Sequence, residues 1–305
     1  MKVLVTGSSG LIGREVVKLL QAKNIQVILF SKKDGLDILK PEQLAKHIKG
    51  CDAVIHLAAT LNEAIPASEI KELNVKGTQN VLEVAAKERV ARLVFTSSVG
   101  VYGNSGGIKT EESEFAPETA YEQSKAEAEK LAVSYQELVP YTIIRPAIVT
   151  GPNAYWKQIF SVVKQNLPLI GEGTNTWQTV HYKDVASAIV FLLLLDAAEN
   201  EAFIIAGNDK PTLKELVQTM RSQLGMKNPP PKVPLWIGLI LAQIWGLWMA
   251  LRGKPNILSP TNIKRMLHER NYDLTKIHAY GWKAKYNYQT ALKETLQELQ
   301  HEKTK

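Results

Sequence analysis

The first two thirds of the chain alternate short apolar runs with longer stretches in which apolar residues recur every three or four positions. The short runs predict strands at 2–6, 25–31, 53–57, 93–98 and 142–145. The longer stretches predict helices at 11–22, 41–49, 75–87 and 121–137. Strands that alternate with helices are typical of a parallel sheet covered on both faces. The pattern therefore predicts an α/β fold with a doubly wound sheet, which binds a nucleotide at its switch point.

The regular alternation ends near Gly151-Pro152. Beyond it, a helix at 184–196 and a strand at 202–206 are predicted to return to the sheet. We therefore predict a Rossmann-type nucleotide-binding domain over residues 1–168, to which 184–206 returns. A smaller, mostly helical region for the substrate is expected over 169–305.

Residues 233–251 are 19 consecutive positions without a charged side chain, flanked by Lys232, Arg252 and Lys254. This length just suffices to cross a bilayer, and the three tryptophans within it would suit a membrane interface. Three interpretations stay open: a helix that lines the pocket or lies in the core, a peripheral membrane contact, and a span. The first two favour a hydrophobic substrate.

The net charge is +7, and residues 252–305 contain 11 Lys and Arg against 5 Asp and Glu. A solvated basic surface, an anionic membrane and nucleic acid would each account for this excess. No nucleic-acid motif accompanies it, so we expect no nucleic-acid partner. The chain has a single cysteine, Cys51, and no visible signal peptide, which favours a cytoplasmic protein. Association of that protein with a membrane stays open. No metal site is expected.

A glycine-rich loop joins the first predicted strand to the first helix, with the spacing G-x-x-G-x-x-G. Glycines allow a tight turn and a close approach of the backbone to a pyrophosphate, and the helix N-terminus adds free N–H groups. We expect this loop to bind a dinucleotide through Gly7, Ser9, Gly10, Leu11, Ile12 and Gly13.

The second predicted strand ends in Ser31-Lys32-Lys33, with no carboxylate at its tip. An acidic residue there would bind the free 2′-hydroxyl of NAD, whereas a hydroxyl and two ammonium groups suit a 2′-phosphate. We therefore expect NADP as the cofactor, bound in part by Ser31 and Lys32, with NAD as the alternative.

Tyr121 and Lys125 are four residues apart and so share one face of a predicted helix. A free tyrosine titrates near pH ~10, and a nearby cation favours its phenolate. The pair is a candidate acid/base, although this spacing alone is common.

The chain resembles the extended short-chain dehydrogenase/reductase superfamily, also called the NAD-dependent epimerase/dehydratase family, over roughly residues 2–295. The resemblance rests on motifs that occur in the family's order: Thr6-Gly7 through Gly13, His56-Leu57-Ala58-Ala59, Asn74-Val75-Lys76-Gly77-Thr78, Thr96-Ser97-Ser98 through Val101-Tyr102-Gly103, Tyr121 with Lys125, and Arg145-Pro146.

The resemblance implies a role for each matching position. Ser98, with Ser97 as the fallback, would be the catalytic serine, Tyr121 the acid/base, and Lys125 the residue that binds the nicotinamide ribose and lowers the tyrosine pKa. The other implied cofactor contacts are Asp37 and Ile38 at the adenine, Leu57, Ala58 and Ala59 beside the third strand, and Asn74 behind the site. A homodimer is also implied.

Three branches of the family differ at informative positions. Sugar 4,6-dehydratases have a Thr-Asp-Glu run where this chain has Ser98-Val99-Gly100, so a dehydratase is not expected. Nucleotide-sugar epimerases usually offer the diphosphate an arginine where this chain has Trp177, which weakens that interpretation. The segment from Gly171 to Asn175 and the tail motifs, Pro255 to Pro260 and Arg270 to Asp273 among them, are similar to the 3β-hydroxysteroid dehydrogenase and dihydroflavonol-reductase-like branch.

We therefore expect an NAD(P)-dependent oxidoreductase that interconverts a secondary alcohol and a ketone on a fairly apolar small molecule. The alternative is a UDP-sugar epimerase or reductase. A dinucleotide-sensing scaffold is a further possibility, but it would leave the Ser/Tyr/Lys set without a use.

Overall fold

The computed structural model describes residues 1–251 and 260–301. In these residues the strands are β1 (Lys2–Thr6), β2 (Gln26–Phe30), β3 (Ala53–His56), β4 (Arg92–Thr96), β5 (Tyr141–Pro146), β6 (Ile148–Thr150), β7 (Leu169–Ile170), β8 (Thr179–His181), β9 (Glu201–Ile205) and β10 (Lys232–Val233). Six of them form one parallel sheet in the order β2-β1-β3-β4-β5-β9. The predicted doubly wound sheet is confirmed, and the strand order reverses between β1 and β3, where such folds bind a nucleotide.

The helices of the described residues are α1 (Leu11–Ala22), α2 (Pro41–Ile48), α3 (Ala67–Lys71), α4 (Gly77–Lys87), α5 (Ala120–Ser134), α6 (Ala154–Lys164), α7 (Tyr182–Leu193), α8 (Leu213–Gln223), α9 (Leu235–Leu251), α10 (Pro260–Met266), α11 (Thr275–Ala279) and α12 (Tyr288–His301). On one face of the large sheet, α1 and α7 pack over Val3 and Val5. On the other face, α2, α4 and α5 pack over Leu4. Burial on both faces explains why these strands are apolar at consecutive positions.

The helix predicted at 75–87 is part of a longer helical segment. It begins with α3, passes through one π-helical turn at Glu72–Lys76, and continues as α4. A π turn inserts an extra residue, so it disrupts the regular spacing on which the prediction depended. Asn74 lies buried within this turn.

The C-terminal region has a hydrophobic cluster of its own. Trp156 and Phe160 of α6 pack there with Leu216 of α8 and Leu292 of α12. Two small parallel pairs, β6 with β8 and β7 with β10, lie outside the large sheet. Because β9 pairs with β5, the chain returns to the main sheet as expected. The proposed domain boundaries stay a prediction.

The apolar stretch forms α9, a helix of 17 residues. Among the described residues, no helix has both the length and the apolar character needed to cross a membrane. Arg252, Lys254 and all of the Pro255 to Pro260 motif except Pro260 fall within 252–259, outside the described residues.

Candidate active site

The glycine loop brings the ends of β1 and β3 into close contact. Gly7 has a φ of +67°, and a Cβ there would lie 2.9 Å from the backbone nitrogen of Ala58. At Gly13 a Cβ would lie 2.2 Å from the carbonyl oxygen of Gly7. The turn therefore requires glycine at both positions, and α1 begins immediately after it at Leu11. The hydroxyl of Ser8 is buried and has no hydrogen-bond partner in the described part of the chain.

A carboxylate lies at the tip of β2, although the sequence places none directly after the strand. The Ser31 hydroxyl donates to Asp34 Oδ2 at 2.6 Å. Lys32 Nζ lies 3.7 Å from Asp37 Oδ2, so one of the two candidate ammonium groups is paired with a carboxylate. Ile38 is buried, and its side chain fills the space beside Gly77. The residues expected to contact the adenosine, Ser31, Lys32, Asp37 and Ile38, thus lie near one another. Asp34, which the sequence analysis did not name, lies among them.

A chain of hydrogen bonds fixes His56 at the end of β3. The Thr78 hydroxyl donates to the carbonyl of Asn74 at 2.6 Å, so its oxygen accepts from His56 Nε2–H at 3.0 Å. His56 Nδ1 then accepts from the Thr6 hydroxyl at 2.7 Å. The Thr6 oxygen in turn accepts the backbone N–H of Leu57 and of Ala58, each at 3.1 Å. His56 is therefore a structural residue that holds the loop after β3 against β1; Ala59, next in this loop, is exposed.

Asn74 links the π turn to two other parts of the site. Its Oδ1 accepts from the backbone N–H of Thr60 at 2.8 Å, and its Nδ2 donates to the carbonyl of Thr60 at 3.1 Å. The same Nδ2 donates to the Ser124 hydroxyl at 2.9 Å, and Ser124 donates to the carbonyl of Tyr121 at 2.7 Å. Asn74 thus positions the helix turn that carries Tyr121 relative to the loop after β3. π turns occur frequently at functional sites.

Ser98, Tyr121 and Lys125 lie together where β4 meets α5. Ser98 caps a short 3₁₀ turn, Val99–Tyr102, by accepting the N–H of Gly100 at 3.0 Å. Burial raises the pKa of Tyr121 to about 12, and a hydrogen bond with Ser98 acts in the opposite direction. Ser97, the fallback serine, has a buried hydroxyl without a partner in the described residues.

Lys125 is buried, and its ammonium lies 4.4 Å from the centroid of the Phe95 ring. Burial lowers the pKa of Lys125 to about 7, although Glu129 acts against this shift. Burial, together with the nearby Lys125 cation, lowers the pKa of His56 to about 3. The pKa of Tyr121 is shifted by burial and by Ser98, Glu122 and Glu63, and Lys125 is not among these causes. The role of Lys125 in lowering that pKa therefore stays a prediction.

A buried ion pair fixes the back of α5 to the sheet. Arg145 of β5 forms hydrogen bonds with both carboxylate oxygens of Glu129 on α5. It also donates to the Tyr102 hydroxyl at 2.6 Å and to the carbonyl of Glu111 at 2.8 Å. A buried pair whose hydrogen bonds are satisfied constrains geometry more reliably than it adds stability. Arg145 thus orients the helix that carries Tyr121.

Trp177 occupies the position where an arginine was expected for a diphosphate, but a guanidinium lies directly on its ring. Arg270 Cζ is 4.4 Å from the Trp177 ring centroid, and the two residues form an isolated β-bridge. Arg270 donates to the backbone carbonyls of Arg265 and His268. Burial lowers the pKa of Arg270, so its charge is poorly solvated. No ion pair between Arg270 and a carboxylate forms among the described residues.

A second arginine connects the C-terminal region to α5, the helix that carries Tyr121. Arg265 of α10 donates to Glu63 at 2.9 Å and to Glu122 at 3.3 Å. Glu122 also closes the capping box with Thr119 at the start of α5, directly beside Tyr121. Sequence reasoning identified neither Arg265 nor Arg270 as a site residue, and it missed Asp34. The described residues contain no group of three or more His, Cys, Asp or Glu that could hold a metal ion.

Comparisons with known proteins agree with this geometry. A family model described as the NAD dependent epimerase/dehydratase family matches residues 3–206. The chain is 27% identical to N-acetyl-alpha-D-glucosaminyl-diphospho-ditrans,octacis-undecaprenol 4-epimerase of Escherichia coli O157:H7, over 97% of this chain and 94% of that protein. It is 29% identical to a UDP-glucose 4-epimerase of Vibrio cholerae, with the same coverage.

The fold is also that of a solved epimerase. The structure of a UDP-glucose 4-epimerase with UDP-glucose from Thermotoga maritima aligns with a TM-score of 0.80 and 21% identity, over 100% of both chains. Each of these two relatives is a 4-epimerase of a sugar linked to a diphosphate. These comparisons favour the alternative function of the sequence analysis over a dehydrogenase of apolar alcohols.

Proposed function

The chain belongs to the NAD-dependent epimerase/dehydratase family, whose members are enzymes, and from this premise we propose that it inverts C4 of a sugar carried on a diphosphate. The observation that supports the proposal most is Arg270. Its guanidinium is partly buried against Trp177 and has no carboxylate partner among the described residues. A desolvated guanidinium of this kind favours an anionic ligand that it can hold by two parallel hydrogen bonds, such as a phosphate.

The presence of Trp177 instead of an arginine therefore no longer argues against an epimerase. The sequence analysis treated the tryptophan as the loss of a phosphate contact. In the fold, a residue 93 positions later supplies the guanidinium on the face of that same indole. Arginine stacks well on aromatic rings because its charge is delocalised and weakly hydrated. The indole therefore acts as a support that orients Arg270 toward the substrate.

The glycine loop fits a dinucleotide. Side chains at Gly7 and Gly13 would collide with the backbone of Ala58 and of Gly7, so only glycine keeps the turn tight enough for a close approach to a pyrophosphate. The buried Ser8 hydroxyl lacks a partner in the described residues. A dinucleotide held by this loop would supply the hydride acceptor for the sugar carbon and the donor that returns the hydride to its opposite face. In our proposal Lys125 holds the hydroxyls of the nicotinamide ribose.

Tyr121 and Ser98 act on the substrate oxygen. Tyr121 takes the proton of the C4 hydroxyl as the hydroxyl becomes a carbonyl, and it returns that proton when the alcohol forms again. Ser98 donates a hydrogen bond to the same oxygen, which stabilises the charge that develops there. Because the sugar turns between the two steps, the diphosphate must stay fixed in the site. Arg270 binds the diphosphate and holds it there.

The choice between NAD and NADP depends on the tip of β2. The predicted preference for NADP rested on Ser31, Lys32 and Lys33. The Asp34 carboxylate on the Ser31 hydroxyl and the pairing of Lys32 with Asp37 both argue against it, because they place negative charge where a 2′-phosphate would lie. We propose NAD, with Asp34 near the 2′-hydroxyl, and NADP stays the competing prediction. The predicted homodimer likewise stays a prediction.

The test is direct. The purified protein, supplied with NAD, is incubated with UDP-N-acetylglucosamine, with UDP-glucose, and with N-acetylglucosamine on a short polyprenyl diphosphate. Proton NMR then detects the 4-epimer. We expect one of these diphosphates to reach an equilibrium mixture of epimers, and Tyr121→Phe to lose that activity. If none is converted while a sterol-like or flavonoid-like ketone is reduced in a parallel assay supplied with NADH or NADPH, the first prediction from the sequence is correct and this proposal is wrong.

A further inference from the structure

Between residues 235 and 245, helix α9 is buried at two small residues only. Gly238 and Ala242 are buried and lie one turn apart. A Cβ at Gly238 would lie 2.5 Å from Cγ2 of Ile170, so the helix approaches β7 as closely as its backbone allows. The other residues from 235 to 245 are half-buried or exposed.

Apart from Gln243, the exposed residues between 235 and 245 are large and apolar. Trp236 is 65% exposed and Ile244 is 64% exposed. They belong to a group of six exposed residues that we call the α9 face: Leu235, Trp236, Ile240, Leu241, Ile244 and Trp245. Soluble proteins rarely expose contiguous apolar patches of this kind unless another molecule covers them. A helix that is apolar all round normally lies in a core or in a membrane.

The charge around α9 indicates what covers it. From 216 to 268 the chain has seven Lys and Arg and no Asp or Glu. Among the described cations, Arg221 bonds Asn228, Lys232 bonds Glu172, and Arg265 bonds Glu63 and Glu122. The other four flank the helix in sequence: Lys227, Arg252, Lys254 and Lys264. An apolar face with a tryptophan at its start and cations on both sides complements an anionic lipid surface.

The α9 face is also connected to the catalytic helix. α9 packs against α10, and Arg265 of α10 bonds Glu122, which follows Tyr121 in the chain. A surface that seats α9 would therefore lie beside the region that binds the substrate.

We propose that the α9 face docks on an anionic phospholipid membrane and lies within the headgroup layer. This inference rests on the proposed function where it concerns the substrate: an epimerase seated on a membrane would take a sugar diphosphate whose other end is a lipid. Docking then brings the diphosphate, which lies at headgroup depth, to the level of Arg270.

Vesicle cosedimentation of the full chain tests docking without any measurement of activity. The vesicles contain either phosphatidylethanolamine with phosphatidylglycerol, or phosphatidylcholine alone. The variant is Trp236→Ser/Ile240→Ser/Ile244→Ser, whose three positions are exposed and so do not support the fold. The matched control is Ile108→Ser/Leu138→Ser/Leu194→Ser, which removes three exposed apolar side chains outside α9.

We expect the parent and the control to bind the anionic vesicles, and the α9 variant to bind at least about tenfold more weakly. Binding of the parent should also weaken at high salt and on phosphatidylcholine. Equal binding by all three proteins, or none by the parent, would overturn the inference. So would a concentration-dependent dimer that the α9 variant abolishes, because the face would then be covered by a second copy.

The proposed function is tested separately. Conversion of a water-soluble UDP-sugar by the α9 variant at the parental rate, together with lost vesicle binding, supports both claims. Vesicle binding without epimerase activity on any sugar diphosphate leaves docking intact and refutes the function. Epimerase activity without vesicle binding supports the function and refutes docking.

Discussion

α7 and α9 are both strongly apolar helices, yet the fold treats them in opposite ways. Of the 12 residues of α7, nine are buried, Ile189 and Leu192 completely. α9 exposes Ile240 at 48% and Ile244 at 64%. The sequence analysis predicted that the helix at 184–196 returns to the sheet, and it left three interpretations open for the stretch that forms α9. The difference does not come from hydrophobicity.

Position in the fold accounts for the contrast. α7 lies against α1 on a face of the large sheet, and it contacts β4, β5 and β8 as well. α9 meets β7, a strand of two residues at the edge of the C-terminal region, and α10. A helix is buried when a layer is present to cover each side, which a hydropathy pattern does not state. An apolar helix without such a layer indicates an external partner.

The largest difference is expected in the unfolding free energy when the same substitution is made in α7 and in α9. Ile189→Asp places an unpaired carboxylate in a closed core, and we expect it to cost more than about 4 kcal/mol of unfolding free energy, or to prevent folding. Ile240→Asp places the carboxylate in solvent and should change that free energy by about 0.5 kcal/mol or less. Urea unfolding followed by circular dichroism measures both. Comparable losses would mean that the α9 face is covered in solution.

The second largest difference is expected in turnover, which should depend on Tyr121 and not on the exposed residues of α9. Tyr121→Phe removes the acid/base but keeps the ring, so we expect turnover of the accepted sugar diphosphate to fall about 10²–10⁴-fold. Cofactor affinity, measured by fluorescence titration, should stay within about twofold. The triple α9 variant should retain turnover on a soluble substrate. A Phe variant that keeps more than a tenth of parental turnover would refute the role of Tyr121.

The pH dependence of stability should come from the core and not from α9, which has no titratable side chain. Folding lowers the pKa of Lys125 from its ordinary value to about 7, so between these values the unfolded chain binds more protons than the folded one. Stability of the cofactor-free protein should therefore rise between about pH 7.5 and 9, by up to about 1.4 kcal/mol per unit.

Lys125→Met provides the check on this origin. The variant should lose the rise with pH, whereas the triple α9 variant should keep it. Urea midpoints at several pH values provide the data. A parent whose stability falls over this range would show that Lys125 is charged and solvated in the folded protein.

The smallest effect is expected at the tip of β2. Asp34→Asn removes a carboxylate from the place where a 2′-phosphate would lie, and it should favour NADPH over NADH by about tenfold or less relative to the parent. The ratio of the two dissociation constants measures it, with Asp52→Asn as a matched control on an exposed carboxylate elsewhere. If the parent already prefers NADPH and Asp34→Asn leaves the ratio unchanged, the NADP prediction holds.

The large sheet could be predicted because its determinants are local. α1 has the bounds that its periodicity predicts, and each strand of the sheet lies within two residues of its apolar run. Gly7 and Gly13 are fixed by a turn between adjacent elements, and Tyr121 and Lys125 share one helix. In each of these cases, residues close in the chain decide the outcome.

What escaped prediction depends on contacts between distant segments. Trp177 meets Arg270, and Glu122 meets Arg265, across 93 and 143 positions that no local pattern connects. Asp34 reaches Ser31 through a 3₁₀ turn that brings it back to the strand end. In our proposal the substrate side of the site is made of such contacts, which is why the sequence favoured a branch of the family that the comparisons support less than the epimerases.

The most direct test of the central claim follows the hydrogen on C4. A sugar diphosphate carrying deuterium at C4 is incubated with the protein and NAD, and the product is analysed by NMR and mass spectrometry. The account predicts the 4-epimer with deuterium retained at C4 and no net accumulation of NADH, because the hydride is taken and returned within one site. An epimer that has exchanged its deuterium with solvent, or a stable ketone formed with stoichiometric NADH, would contradict it.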